Sequence, residues 1–253
     1  MLAHTRAWAA INSGTHNLAG LKTMAGTLDD AFSVLPGELS LVEPGPAETV
    51  AADGSLEAIE HGRHLVLRVR PDAAVRMLFT GHMDTVYPHD HAFQHDRLLD
   101  ANTLNGPGVA DMKGGLAILL AALKAFEMSA LAQRIGYDVM INSDEETGSF
   151  SSAALIADLA RGKTAALTYE PALASGTLAG ARGGTGNFAI IVHGKSAHAG
   201  RNPDDGRNAI VAASDVAVRL FAARREGLAV NPARIDGGGP NNVVPDRAVL
   251  RIN

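Results

Sequence analysis

Three short apolar runs each stop at residues able to hold a cation, and this pattern constrains the fold more than any other. Arg76-MLFT-Gly81 runs into His82, Tyr137-DVMIN-Ser143 into Asp144-Glu145-Glu146, and Ala165–Tyr169 into Glu170. Runs this short, apolar without alternation, suit strands covered on both faces. Leu116–Leu131 (LAILLAALKAFEMSAL) is apolar nearly all round, as in a helix buried against a sheet. Ser151–Leu159 predicts another helix before the last run. Buried strands alternating with buried helices define an α/β domain: a mainly parallel sheet with helices on both faces.

Upstream, one helix is expected at the start and a second over Leu18–Val34, ending at the Pro36-Gly37 breaker. Leu39–Val69 reads as short strands split by turns at Pro44-Gly45-Pro46, Asp53-Gly54 and His61-Gly62. There Leu65, Leu67 and Val69 alternate with His64, Arg68 and Arg70, as in a half-buried strand at a sheet edge. From about Arg182 the order becomes strand (Asn187–Val192), helix (Gly206–Arg225), strand (Leu228–Ile235) and strand (Arg247–Ile252). This is the opening of a ferredoxin-like α+β domain, which needs one more helix and strand to close. The boundary is expected in the glycine-rich stretch Gly180–Gly186, giving one domain over 1–181 and an incomplete second domain over 182–253.

Composition narrows the function classes. The chain has 22 Lys and Arg against 27 Asp and Glu, a net charge of −5, with no basic footprint for nucleic acid. It has no cysteine, which excludes disulfides, thiolate metal sites and cysteine nucleophiles. No apolar stretch has the length of a membrane span, and MLAHTRAWAAINSG lacks the apolar core of a secretory signal. A cytoplasmic protein is therefore expected, with export open should the natural amino terminus lie further upstream.

The candidate site residues are His82 and Asp84 in GHMD, Asp111 in VADMKGG, Glu145 and Glu146 in DEETGS, and Glu170 in TYEP. Ligands of an open α/β sheet collect beyond the carboxyl ends of its strands, so separate crossovers can bring these residues into one cleft. One imidazole and several carboxylates suit zinc, manganese or cobalt. Two ions about 3.5–4 Å apart would polarise a carbonyl and acidify a water. Either Glu145 or Glu146 would bind metal while its neighbour takes the proton from that water. Taken singly, these acids also read as turn residues and helix first-turn charges; their joint position after apolar strands favours the site.

Other signals fall away. Arg161-Gly-Lys-Thr164 and His193-Gly-Lys-Ser196 end like phosphate loops, but Ala157 and Ala189 stand where the first glycine is required. There is no HExxH. His89, His91 and His95 read as a solvated loop with a rim contact to substrate, and His193 as a strand-end residue. His198, in a polar glycine-bounded turn after a strand, is exposed and positionable.

The stretches Gly81–Pro88 (GHMDTVYP), Gly106–Gly115 (GPGVADMKGG), Asp144–Ser149 (DEETGS), Tyr169–Pro171 and His193–Gly200 (HGKSAHAG), with Ile11–Leu21, together resemble the M20 family of metallopeptidases and deacylases. Within it the wording is most similar to the glutamate carboxypeptidase-like branch. The resemblance implies two divalent ions, zinc foremost with cobalt or manganese admitted. His82 and Glu170 would bind one and Glu146 the other, with Asp111 bridging. Asp84 would orient His82, and Glu145 would serve as general base and then proton donor. His198 would stabilise the oxyanion, and Asn242, in Gly237–Pro245, would help hold substrate. The resemblance makes 1–181 the metallohydrolase catalytic domain and 182–253 an incomplete lid that would mediate a homodimer. The family's remaining histidine ligand and its carboxylate-binding arginine would fall beyond Asn253, so the chain is expected to be truncated, with the second ion left only Asp111 and Glu146. The implied reaction is hydrolysis of an amide or peptide bond in a small peptide, releasing a glutamate-like amino acid. The alternatives are an N-acyl amino acid deacylase of the same architecture, or an inactive remnant retaining only lid contacts.

Overall fold

The computed structural model describes residues 1–173, 175–181 and 183–253. Arg182, at the expected domain boundary, lies outside the described residues. In chain order the elements are α1 (Leu2–Ala9), α2 (Leu18–Phe32), β1 (Glu38–Val42), β2 (Ala47–Val50), β3 (Leu56–Ile59), β4 (His64–Val69), β5 (Val75–His82), β6 (Arg97–Asp100) and β7 (Thr103–Asn105). There follow α3 (Gly114–Glu127), β8 (Ile135–Asn142), α4 (Ala153–Ala160), β9 (Ala165–Thr168), β10 (Phe188–His193), α5 (Ala209–Ala222), β11 (Pro232–Gly237) and β12 (Arg247–Ile252). Two compact units result: Met1–Ala47 with Ile59–Leu178, and Glu48–Ala58 with Ala179–Asn253.

The first unit is built on a sheet of order β1-β4-β8-β5-β9. β5 pairs parallel with both β8 and β9, whereas β4 pairs antiparallel with β1 and β8. The sheet is thus mixed, and the expectation of a mainly parallel one is corrected. The cause is β4, which lies inside the sheet and not at its edge. Leu65, Leu67 and Val69 pack into the cluster shared with α2 and α3, while Val66 packs with Leu155, Ile156 and Leu159 of α4 on the other face. His64, which mimics a solvent-facing position in the sequence, is fully buried and accepts from Ser143 N at 3.3 Å. Helices cover both faces, as the unbroken apolar runs require.

α2 starts where Asn17 Oδ1 accepts from Gly20 N at 3.2 Å, a side-chain cap on an otherwise orphaned amide. Its buried stripe of Leu21, Met24, Ala25, Leu28 and Phe32 follows the helical repeat. β5, β8 and β9 run in one direction, with His82 opposite Asn142 and Thr80 opposite Thr168. The segments after these strands therefore emerge at one end of the sheet.

On β8, Asp138 makes a 2.6 Å ion pair with Lys163, both side chains less than a tenth exposed. Removing one partner of such a pair strands the other without water. Asp138→Ala is expected to destabilise the protein by about 3–5 kcal/mol, read from chemical denaturation. A loss below about 1 kcal/mol would mean that the pair is solvated.

In the second unit, β10, β12 and β11 form an antiparallel sheet with α5 packed on one face through Ala209, Ala213, Leu250 and Ile252. The strand-helix-strand-strand order follows the sequence reading. The described residues do not form the four-stranded closure of a ferredoxin-like lid. The second face is not left open either. In the hairpin β2–β3, Gly54 lies against Ile191 and Val249, Arg251 donates to Val50 O at 2.6 Å, and Arg247 to Asp53 O at 2.8 Å. Among the described residues no helix is long and apolar enough to cross a membrane.

Candidate metal centre

His82 closes β5 and is 1% exposed. Its Nε2 lies 3.0 Å from Asp111 Oδ1, 3.4 Å from Glu170 Oε1 and 4.0 Å from Glu145 Oε2. Asp111 comes from the kinked segment Val109–Lys113 before α3, whose backbone leaves the helical region at Asp111 and Met112. Glu145 and Glu146 ride on the short turn after β8, and Glu170 follows β9. Parallel strands and a crossover thus deliver one imidazole and four carboxylates to one place. Two donor sets arise, each with ligand atoms within 4.8 Å of one another: His82, Glu145 and Glu170, and His82, Asp111 and Glu146.

Asp84 organises the group from below. It is fully buried, with its backbone carbonyl oxygen 3.1 Å and its Oδ1 3.3 Å from His82 Nδ1. Oδ1 also accepts from Glu145 N and Oδ2 from Glu146 N, both at 3.2 Å, while Thr15 Oγ1 donates to Oδ2 at 2.7 Å. One residue therefore fixes both the imidazole, through its carbonyl and carboxylate, and the turn carrying the two glutamates. Asp144 holds that turn from the other side, accepting from Ser151 N at 2.7 Å and Ser152 N at 3.2 Å where α4 begins. Thr15 escaped the sequence reading of site residues. Its only signal is membership of the INSGTHN stretch. Lys113 is likewise buried beside the site; its Nζ donates to Ile11 O at 2.7 Å, and burial pushes its pKa down to about 8.

The electrostatics are those of a site short of positive charge. Burial opposes a charge on His82, yet the Asp84 and Glu170 carboxylates outweigh it and push its pKa up to about 11. Burial, with Asp111, Asp84 and Glu145 nearby, pushes Glu146 up to about 7 against the pull of His82. Burial likewise raises Asp111 and Glu145. Protons do here what a divalent cation does better, and nitrogen with carboxylate oxygens is the donor set such ions take. The residues fit the metal.

A pH dependence follows. In the metal-free protein His82 and Glu146 hold protons more tightly than in the unfolded chain. Their contribution is present below the unfolded values and is lost as pH rises through about 7 for Glu146 and toward about 11 for His82. The metal-free Tm is expected to fall between about pH 5 and pH 9, and added zinc to reverse the trend, because the ion replaces the protons. Thermal unfolding at several pH values, with and without zinc, checks this; a metal-free Tm rising across that window contradicts it.

In the second unit, His198 and Asn242 are brought together: Ala199 N donates to Asn242 O at 2.9 Å, and His198 bridges to Val243. His198 Nδ1 accepts from Gly200 N and Arg201 N, both at 3.1 Å, which leaves the ring proton on Nε2 as a donor. His193 closes β10. His91 is occupied within its own loop, Nδ1 accepting from Phe93 N at 3.0 Å.

An α/β scaffold presenting one buried imidazole and clustered carboxylates beyond parallel strand ends defines a metal-centre hydrolase fold. The model of the peptidase family M20/M25/M40 matches residues 78–237, which span both units, and the chain belongs to that family. Carboxypeptidase G2 of Pseudomonas sp. (strain RS-16) is 31% identical over 195 residues, covering 76% of this chain and 47% of that protein. The N-acetyl-L-citrulline deacetylase of Xanthomonas campestris is 29% identical over 234 residues, covering 82% of this chain and 61% of that protein. The chain thus spans about half the length of the curated relatives it matches. The crystal structure of human carnosine dipeptidase 1 superposes with a TM-score of 0.62 at 17% identity, over 99% of this chain and 68% of that one, a likeness of fold.

Proposed function

We propose that this chain carries the metal centre of an N-acyl amino acid amidohydrolase, cleaving the amide between an acyl group and an amino acid. The observation that carries this is the pair of donor sets around His82, at the shared end of β5, β8 and β9. The deacetylase likeness, which reaches over the larger share of the chain, favours a deacylase over the carboxypeptidase reading. Release of a C-terminal glutamate-like residue from a peptide remains the second reading, favoured by the 31% identity to carboxypeptidase G2.

His82, Glu170, Asp111 and Glu146 would hold two divalent ions, with zinc foremost and cobalt or manganese admitted, Asp111 shared between them. When bound, the ions supply Lewis acidity toward the amide carbonyl. Asp84 keeps His82 in register through Nδ1. Glu145 takes a proton from the attacking water as its oxygen bonds to the carbonyl carbon. It then returns that proton to the amide nitrogen as the C–N bond breaks. The Nε2–H of His198 is suited to donate to the developing oxyanion, and Asn242, on the adjoining strand-like segment, to hold the substrate. Exposed Val211, Val218 and Phe221 on α5 offer an apolar surface for pairing of two second units in a homodimer.

The test is hydrolysis by the purified chain of N-acetyl amino acids and of folyl-type C-terminal glutamates, with zinc, cobalt or manganese and with a chelator. Metal-restored release of free amino acid from the acetyl series supports the deacylase reading. Turnover of the glutamate series alone would shift the function to carboxypeptidase, and no turnover in any metal state would overturn both.

A further inference from the structure

Lys113 is 1% exposed, and among the described residues the Ile11 carbonyl is its side chain's one hydrogen-bond partner, at 2.7 Å. Burying an ammonium on a single acceptor, with no carboxylate paired to it, is costly. A neutral side chain of the same length would fill the space at less cost. The reach of the lysine, and what it ties together, therefore needs a reason.

The stem crosses the loop that carries Asp111. Lys113 N donates to Gly108 O at 2.8 Å, which closes that loop, and the Lys113 Cδ and Cε stand 3.2 Å from where a Gly108 Cβ would be. Gly108 enters the turn at φ +65°, the left-handed region, with no side chain to block the lysine. At the far end, Ile11 opens a segment that runs along Met83–Thr85. Ser13 Oγ donates to Met83 O at 2.6 Å, Thr85 N to Ser13 O at 3.0 Å and Thr15 N to Thr85 O at 3.2 Å. The same segment holds Asp84, and so His82, through Thr15 Oγ1.

Asp111 arrives from another crossover, yet its Oδ1 stands 3.0 Å from His82 Nε2. The loop's direct tie to β5 is Met112 Sδ, which accepts from His82 N at 3.1 Å and is a weak acceptor. Among the described residues the bond from Lys113 to Ile11 is the one hydrogen bond between this loop and the Ile11–Thr15 segment. We propose that Lys113 is a positioning residue: it fastens the Asp111 loop to the segment that already fixes Asp84, and so sets Asp111 against His82. The inference rests on the reading of His82 and Asp111 as metal ligands, and not on the choice of substrate.

Other roles predict different outcomes. A lysine acting by charge alone repels a divalent ion, so its removal would tighten zinc binding. A lysine that only supports the fold would lower stability and leave zinc affinity unchanged.

The experiment compares the parent chain with Lys113→Met, which keeps the stem and removes the donor, and Lys113→Arg, which keeps a donor. Zinc affinity, read by calorimetry, is expected to fall by roughly 10–100-fold in the Met variant, as for residues that orient a ligand, and to recover in part in the Arg variant. In metal-free protein the imidazole NMR signal of His82 gives a second reading. Asp111→Ala supplies the signal of His82 without this neighbour, and Lys113→Met should move it in that direction. Should Lys113→Met fail to fold, Ser13→Ala frees the same segment from Met83 with Lys113 in place, and both readings should move the same way. Zinc affinity unchanged or tightened, or a His82 signal that stays at its parent position, overturns the proposal. A parent protein that takes up no zinc overturns the metal-centre reading instead, and the His82 signal then decides the placement of Asp111 alone.

Discussion

Asp111→Ala is expected to empty the metal centre and abolish turnover while leaving the fold intact. Asp111 Oδ1 is the carboxylate oxygen nearest His82 Nε2, at 3.0 Å, and the side chain is 55% exposed, so its removal opens no core cavity. The raised pKa of Asp111 points the same way, because burial and Glu170 oppose its charge until a cation is present. Loss of a residue that only supports a ligand costs roughly 10–100-fold in metal affinity or activity. Loss of a ligand shared by two ions, the role proposed for Asp111, should exceed that. Metal titration by calorimetry with parallel activity assays reads the effect. Zinc affinity within tenfold of the parent protein would remove Asp111 from the centre.

Glu145→Gln is expected to separate chemistry from binding. The amide keeps the shape and the backbone bond to Asp84 but cannot take a proton, so kcat should fall by roughly 10²–10⁴-fold with metal content unchanged. The geometry makes this a sharp test, since Glu145 Oε2 also lies within reach of His82 and Glu170 as a possible ligand. If the variant loses metal together with activity, Glu145 binds the ion and Glu146 becomes the candidate base. If kcat survives, neither role belongs to Glu145.

Most of this centre was legible in the chain because it hangs on strand ends. An apolar run that halts at a histidine or acid announces both the strand and the cleft beyond it, and His82, Glu145, Glu146 and Glu170 all follow that rule. Asp111 was legible as an acid before an apolar helix, though the kink that brings it to His82 was not. Thr15 and Lys113 were hidden for a different reason. Each acts through one hydrogen bond across a long sequence gap, to Asp84 and to the Ile11 carbonyl, and no local pattern records such a partner. β4 misled outright, because a buried histidine and a single exposed arginine imitate the alternation of a sheet edge. The ends of α5 were overextended on both sides: Asn208 caps it from Val211 N at 3.1 Å, and it stops at Ala222 with no glycine or proline to mark the place.

The hairpin β2–β3 has a consequence for how the chain must be made and cut. It leaves the ribosome long before the sheet it covers, and Arg251 reaches back 201 positions to the Val50 carbonyl. The second unit therefore cannot form this contact until β12 emerges, a long-range closure of the kind that slows folding. A protein beginning at residue 179 would lack its own cover over Ile191 and Val249 and would present that apolar face to its neighbours. Excising the second unit as a soluble piece requires carrying residues 48–58 along with it, joined through a linker in a new order.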